Sequence, residues 1–209
     1  MREDPYRSIA RWYDRLFEPI NSGLRVLGLR LFIPKKDMAL LDVGCGTGLH
    51  LYLYRKYQCA LYGIDPSPSM LEIAQKRLVD AARLHLGDAS DMPYEDKRFD
   101  LAIAMLALHE MNPPTRSAVV QEMKRVLKPS GRLLLIDFHP GPIRPLQGWW
   151  TKLIIILSEI AAGREHFRNY RQFMAVKGLP ALISEHNLAV EKQRIVSGGA
   201  LAAFLLRAE

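Results

Sequence analysis

Between Leu40 and Gly48 the chain reads Leu-Leu-Asp-Val-Gly-Cys-Gly-Thr-Gly, an apolar strand running straight into a loop with glycine at every second position. No other stretch constrains the fold as tightly. A strand that ends in Gly44, Gly46 and Gly48 brings bare backbone to a point where side chains would normally stand. Only glycine tolerates both the positive φ and the close ligand approach of such a turn. Asp42 lies inside the strand, where a carboxylate is costly unless something pairs with it. Strand, loop and carboxylate together predict a backbone cradle for a polar ligand.

The spacing narrows the ligand. A dinucleotide fingerprint requires G-x-G-x-x-G, but the third position after Gly46 is Leu49. A phosphate-binding P-loop ends in Gly-Lys-Ser/Thr, whereas this loop continues Gly48-Leu49-His50 and offers no cation before Arg55. The loop suits a ligand without phosphates.

Strand and helix patterns alternate as in a doubly wound α/β sheet. Helical periodicity from Ile9 to Phe32, interrupted by Pro19 and Gly23, predicts two short helices before strand one at Ala39–Val43. A helix over His50–Tyr57, strand two over Cys59–Ile64 closing on Asp65, and a helix from Pro66–Ser69 to about Leu78 follow. Strand three is expected at Arg83–Leu86 and strand four at Phe99–Leu106, the latter apolar enough to be buried on both faces. A helix over Thr115–Leu127, a turn at Pro129–Gly131 and strand five at Arg132–Phe138 come next. The stretch from Pro140 to Gly178 reads as irregular. Pro180–His186 reads as a helix, and Ala189–Val196 with Leu201–Leu206 as a terminal antiparallel pair joined through Ser197-Gly198-Gly199.

The run Asp42-Val43-Gly44-Cys45-Gly46-Thr47-Gly48 resembles the first motif of the class I S-adenosylmethionine-dependent methyltransferases, in the branch of the quinone-biosynthesis enzymes. The resemblance extends from about Tyr13 to the C-terminus and is strongest between Leu41 and Asp137. It implies a Rossmann-like, seven-stranded, mainly parallel sheet with an antiparallel C-terminal strand pair. Residues 1–209 would be one domain, with a helical cap over 1–35 and an acceptor-side insertion over 140–178. It also implies that S-adenosylmethionine is the cofactor and S-adenosylhomocysteine the product. Asp42, Gly44, Cys45, Gly46 and Gly48 would serve the cofactor's amino-acid part. Asp65, 17 positions after Gly48, would accept from both ribose hydroxyls, with capping of the next helix before Pro66 as the lesser alternative. Asp88 and Ala89 would meet the adenine, and Pro66, Met70 and Met105 would complete the cofactor set. Tyr13-Asp14 resembles the family's N-terminal Tyr-Asp signature, with Tyr6 and Ile9-Ala10 in register. There the Tyr13 ring would either close over the methionine end or pack on the core.

Other signals are weaker. Asn112-Pro113-Pro114 continues with Thr115 rather than an aromatic that could stack on a flipped base, so a proline pair opening a helix explains it better. His109 follows strand four and is the candidate general base, with a structural role as the alternative. None of the residues singled out calls for a metal. Cys45 and Cys59 are the two cysteines, too few for a disulfide framework, which suits a reducing cytoplasm. The N-terminal MREDPYRS lacks the apolar run of a signal peptide.

The acceptor side is read from Trp149–Ala162, WWTKLIIILSEIAA, too short to span a bilayer. It would suit a helix at a membrane interface, the lining of an apolar pocket, or a core helix. Aromatics and cations then interleave over Phe167–Phe173. Net charge is +7, from 29 Lys and Arg against 22 Asp and Glu, which favours anionic surroundings. A small-molecule or lipid acceptor is expected, first a prenylated quinone precursor, because Val196–Leu201 is similar to that branch's Gly-Gly tail. A phospholipid amine comes second and a small soluble acceptor third. Peripheral contact at the inner face of a membrane is expected and nucleic acid is not. A dinucleotide-dependent oxidoreductase and a non-catalytic cofactor-binding module are the competing classes.

Overall fold

The computed structural model describes residue 4, residues 6–7 and residues 10–208, apart from the side chains of residues 19, 20 and 147. Ile9 of the N-terminal signature, and residues 1–3, 5 and 8 of the expected cap, lie outside the described residues. The chain runs α1 (Ala10–Leu31), β1 (Ala39–Val43), α2 (Leu49–Tyr54), β2 (Ala60–Asp65), α3 (Pro68–Leu78), β3 (Ala82–Leu86) and β4 (Phe99–Met105). It continues with α4 (Pro113–Val126), β5 (Leu127–Phe138), α5 (Gln147–Ala161), α6 (Arg164–Ala175), α7 (Gly178–Glu185), β6 (Leu188–Val196) and β7 (Leu201–Ala208).

All seven strands form one sheet in the order β3-β2-β1-β4-β5-β7-β6. The first five run parallel, and β7 pairs antiparallel with both β5 and β6. Strand order reverses between β1 and β4: one half of the sheet winds outward through β2 and β3, the other through β5. Ligands of doubly wound sheets bind at that switch point, beyond the carboxyl ends of the strands. The apolar run of β4 is explained by its place between β1 and β5, where Leu101, Ala102 and Ile103 are fully buried.

The expectation of two N-terminal helices is corrected. α1 is one helix of 22 residues that passes through both Pro19 and Gly23. An interior proline costs about 3 kcal/mol, and burial of Ala10, Leu24 and Leu31 along the helix offsets it. The irregular stretch is also corrected, since beyond residues 139–146 it consists of α5 and α6 with two-residue turns at 162–163 and 176–177. Phe167, Tyr170, Phe173 and Met174 recur at a helical spacing of three and four, a period hidden by the cations between them. The Pro129–Gly131 turn survives only as an irregularity inside β5, where the pairing jumps from Phe99↔Leu127 to Leu101↔Arg132.

Candidate active site

The glycine loop leaves β1 at its carboxyl end, and the Gly44 amide is held by Ile64 O of β2 at 2.9 Å. Its three glycines all have positive φ, at 71°, 51° and 76°, yet they do different work. A Cβ on Gly44 would stand 2.8 Å from Ala107, and one on Gly48 would stand 2.8 Å from Leu78 and 3.1 Å from Ala74 of α3. Those two are glycines because protein packs against them. A Cβ on Gly46 would meet nothing within 4 Å. It would stand in open space, where a ligand can touch the backbone.

The cleft beside the loop is lined by Tyr13, Asn21, Arg25, Asp42, the backbone from Gly44 to Thr47, Leu49, His50 and Met105. Two acids flank it. Asp65 Oδ2 accepts from the Gly46 amide at 2.8 Å and Oδ1 from the Ser67 amide at 2.9 Å, so one carboxylate sets both the loop and the entry to α3. Burial pushes Asp65 up to about 6, against the pull of those two amides. Burial likewise pushes Asp42 up to about 7, although Arg25 works in the opposite direction. These carboxylates have lost water and have room to gain from a cationic or hydroxyl-bearing ligand.

The Tyr13-Asp14 pair divides its labour. Asp14 accepts from Thr47 Oγ at 2.6 Å and pairs with Arg77 at 2.5 Å, and Arg77 also donates to Thr47 O. This ties α1 to the loop and to α3, and it turns Tyr13 toward the cleft. The Tyr13 ring meets Phe17 at 4.8 Å and the edge of Tyr6 at 5.9 Å.

The sequence-predicted residues do not all converge. Tyr13, Asp42, Gly44, Cys45, Gly46 and Met105 line the cleft together, and Asp65 reaches it through Gly46. Gly48 packs on α3, Pro66 is exposed at its entrance, and Met70 is buried within it. Ser67, rather than Asp65, is the residue that caps α3, accepting from the Met70 amide. Asp88 follows β3 at the surface and accepts from the Ser90 amide and hydroxyl at 2.9 and 2.8 Å, and Ala89 is buried beside it. Asn112 caps α4 through the Thr115 amide and Pro113 begins the helix, as the proline pair predicts.

His109 is 3% exposed, and both of its ring nitrogens face carboxylates: Nδ1 lies 2.7 Å from Asp137 and Nε2 3.4 Å from Glu159. Burial opposes a charge here, but Asp137, Glu159 and Glu110 overcome it and raise His109 to about 10. For the expected general-base role, the geometry leaves neither ring nitrogen of His109 facing away from a carboxylate. The sequence reading did not single out Asn21, Arg25 or His50, and it quoted Thr47 only as part of the loop motif. Asn21 and Arg25 are one turn apart on α1, but residue type alone does not separate Arg25 from 28 other Lys and Arg.

Comparison with known proteins agrees with this architecture. A methyltransferase-domain family model matches residues 41–135. Demethylmenaquinone methyltransferase of Desulfitobacterium hafniense is 29% identical over 96% of this chain and 87% of its own. 2-Phytyl-1,4-naphthoquinone methyltransferase of Trichormus variabilis is 31% identical over 71% of this chain and 70% of its own. The crystal structure of an S-adenosylmethionine-dependent methyltransferase from Aquifex aeolicus superposes with a TM-score of 0.68 at 20% identity, covering 100% of both chains. An α/β sheet of this order, with a glycine-loop cleft at its switch point, has the class I methyltransferase fold. The chain belongs to the class I S-adenosylmethionine-dependent methyltransferases, in their quinone branch. It is an enzyme whose cofactor is S-adenosylmethionine. Among the described residues, no helix is long and apolar enough to cross a membrane.

Proposed function

We propose that this enzyme methylates an apolar, quinone-like ring acceptor drawn from a membrane surface. The observation that carries the reading is the outer face of α5. Leu146 just before it, then Trp149, Trp150, Leu153, Ile154, Leu157 and Ile160, are 46–78% exposed. Their spacing forms one apolar stripe facing water, while Ile155 and Glu159 face inward. A stripe this continuous on a protein surface marks an interaction site. Lys152 lies over the Trp149 ring at 5.7 Å, and Arg164, Arg168 and Arg171 are exposed on the neighbouring α6. Tryptophans and cations bordering an aliphatic face suit the headgroup boundary of an anionic bilayer. Two of the similar enzymes are named for demethylmenaquinone and 2-phytyl-1,4-naphthoquinone, which supports a ring with a long apolar tail. The purified enzyme should bind anionic vesicles, less tightly as salt rises, and should methylate a lipid-soluble extract in preference to a water-soluble one. Robust turnover of water-soluble metabolites, with no vesicle binding at low salt, would overturn this reading.

The cleft's residues fit the cofactor. Gly46 offers the bare backbone its amino-acid part requires, Arg25 suits its carboxylate, and Asp42 suits its ammonium. Asp65 takes the ribose hydroxyls, and Asp88 with Ala89 receives the adenine. When bound, S-adenosylmethionine supplies a sulfonium-activated methyl group. The chain's own contribution is positioning and exclusion of water, with Tyr13 presenting a π face toward the methionine end. His109 is not assigned a proton-transfer role.

The buried acids make binding depend on pH with a definite sign. Asp42 and Asp65 ordinarily titrate near 3.8, and in the unliganded fold they stand at about 7 and about 6. The folded chain therefore holds protons that the unfolded chain has released. The stability of the unliganded enzyme should fall as pH rises from about 4 to about 7. A ligand that favours the ionised carboxylates expels those protons. Affinity for S-adenosylhomocysteine should accordingly increase from about pH 5.5 to about pH 7.5, with proton release on binding. Calorimetry in buffers of different ionisation enthalpy measures both. A flat affinity with no proton release would remove Asp42 and Asp65 from the binding site.

A further inference from the structure

The inner face of α5 carries a charged cluster whose residues are not among those lining the glycine-loop cleft. Glu159, 5% exposed, lies between two imidazoles: its Oε1 is 3.4 Å from His109 Nε2 and its Oε2 is 2.9 Å from His166 Nδ1. The far nitrogen of each ring faces another carboxylate, His109 Nδ1 at 2.7 Å from Asp137 and His166 Nε2 at 3.2 Å from Glu110. Those two carboxylates are themselves held. Asp137 accepts from the amides of His109 and Phe138, and Glu110 accepts from the Tyr6 hydroxyl at 2.8 Å.

Two features distinguish this cluster from an ordinary ion-pair chain. Glu159 Oε2 and both His166 nitrogens are buried and close to their neighbours, yet the angles of approach satisfy no hydrogen bond. The lone pairs converge instead. One ligand atom from each of His109, Glu159 and His166 falls within 4.8 Å of the others. A tetrahedral ion with bonds of about 2.0–2.1 Å would space its ligands roughly 3.3 Å apart, inside the 4.8 Å within which one atom of each side chain already falls. Charge leads to the same place, because two imidazoles meet three carboxylates. One divalent cation supplies the charge of two protons while leaving a lone pair on each ring for coordination.

We infer that His109, Glu159 and His166 bind a divalent transition-metal ion of the Zn²⁺ type, with Asp137 and Glu110 orienting the two imidazoles. A histidine ligand whose second nitrogen is held by a carboxylate is the usual arrangement around such ions. The ligands come from the turn after β4, from α5 and from α6. The ion therefore pins both acceptor-side helices to the carboxyl edge of the sheet and fixes how α5 presents its apolar face.

The test uses tag-free enzyme stripped with a chelator and titrated with Co²⁺, which gives visible absorption in Zn²⁺-type sites. Absorption should saturate at about one ion per chain and be displaced by Zn²⁺, and Zn²⁺ should raise the melting temperature. Glu159→Gln and His166→Ala should each weaken Co²⁺ binding by tenfold or more, and Asp137→Asn by about 10- to 100-fold. His166→Ala changes a partly exposed side chain and should keep its affinity for S-adenosylhomocysteine, so it decides the matter if Glu159→Gln fails to fold. Absence of absorption and of any thermal response at millimolar Co²⁺ and Zn²⁺ would overturn the proposal and leave an ion-pair network. Undiminished binding in His166→Ala would overturn it by placing the ion elsewhere.

Discussion

Gly46→Val should lose all measurable affinity for S-adenosylhomocysteine while its far-UV circular dichroism stays near that of the parent enzyme. Two effects of the substitution act together. The residue's φ of 51° is one that a β-branched side chain adopts only under strain, at a cost of about 1–3 kcal/mol. The added methyls would also stand in the cleft, where a Cβ meets no protein atom within 4 Å. The neighbouring glycines should behave differently. A Cβ on Gly48 would collide with Leu78 and Ala74, and one on Gly44 with Ala107. Gly48→Ala and Gly44→Ala should therefore lower the melting temperature more than Gly46→Val does. Calorimetric titration and thermal unfolding of the three variants separate these outcomes. Near-normal binding by Gly46→Val would mean that the ligand approaches some other part of the cleft.

The contrast among the three glycines also indicates how much of the site was legible in the sequence. Strand, glycines and acid were readable because a parallel strand imposes a nearly continuous apolar run and a ligand cradle imposes glycine. Both are local constraints written in consecutive residues. Most of the sheet was legible for the same reason, since β1, β2, β4 and the second half of β5 each carry an apolar run, whereas the edge strand β3 has no buried residue. What escaped was set by distance along the chain. Arg25 reaches the cleft only because Asp14 clamps α1 onto Thr47 and Arg77, contacts spanning 33 and 63 positions. His109, Glu159 and His166 meet through the packing of α5 and α6 on the end of β4, and no local spacing announces that. The two-helix reading of α1 failed because a proline penalty is local and the burial that offsets it is not. For α5, apolar content announced a helix, but no local rule could say that its apolar stripe would face outward.

Asp65→Ala should weaken binding of S-adenosylhomocysteine by more than tenfold, and the origin of that loss can be separated. The side chain has two duties in the proposed site. It accepts from the Gly46 and Ser67 amides, and it would accept from the ribose hydroxyls. Hydrogen bonds to a charged group contribute about 1.5–3 kcal/mol. Loss of the ribose contacts alone then corresponds to roughly a 10- to 150-fold change, at 1.4 kcal/mol per tenfold. Loss of the two amide contacts would add a loosened loop, which lowers affinity for any ligand. A 2′-deoxy analogue of S-adenosylhomocysteine distinguishes the two contributions. It should bind the parent enzyme more weakly than the natural ligand does, and the difference should shrink or vanish in Asp65→Ala, the coupling expected of groups in direct contact. Asp65→Asn, which keeps the shape and one acceptor but loses the charge, should restore one of the two amide contacts and little of the ribose preference. If the analogue is penalised equally in all three proteins, Asp65 serves only to hold Gly46 and Ser67, and the ribose lies against another residue.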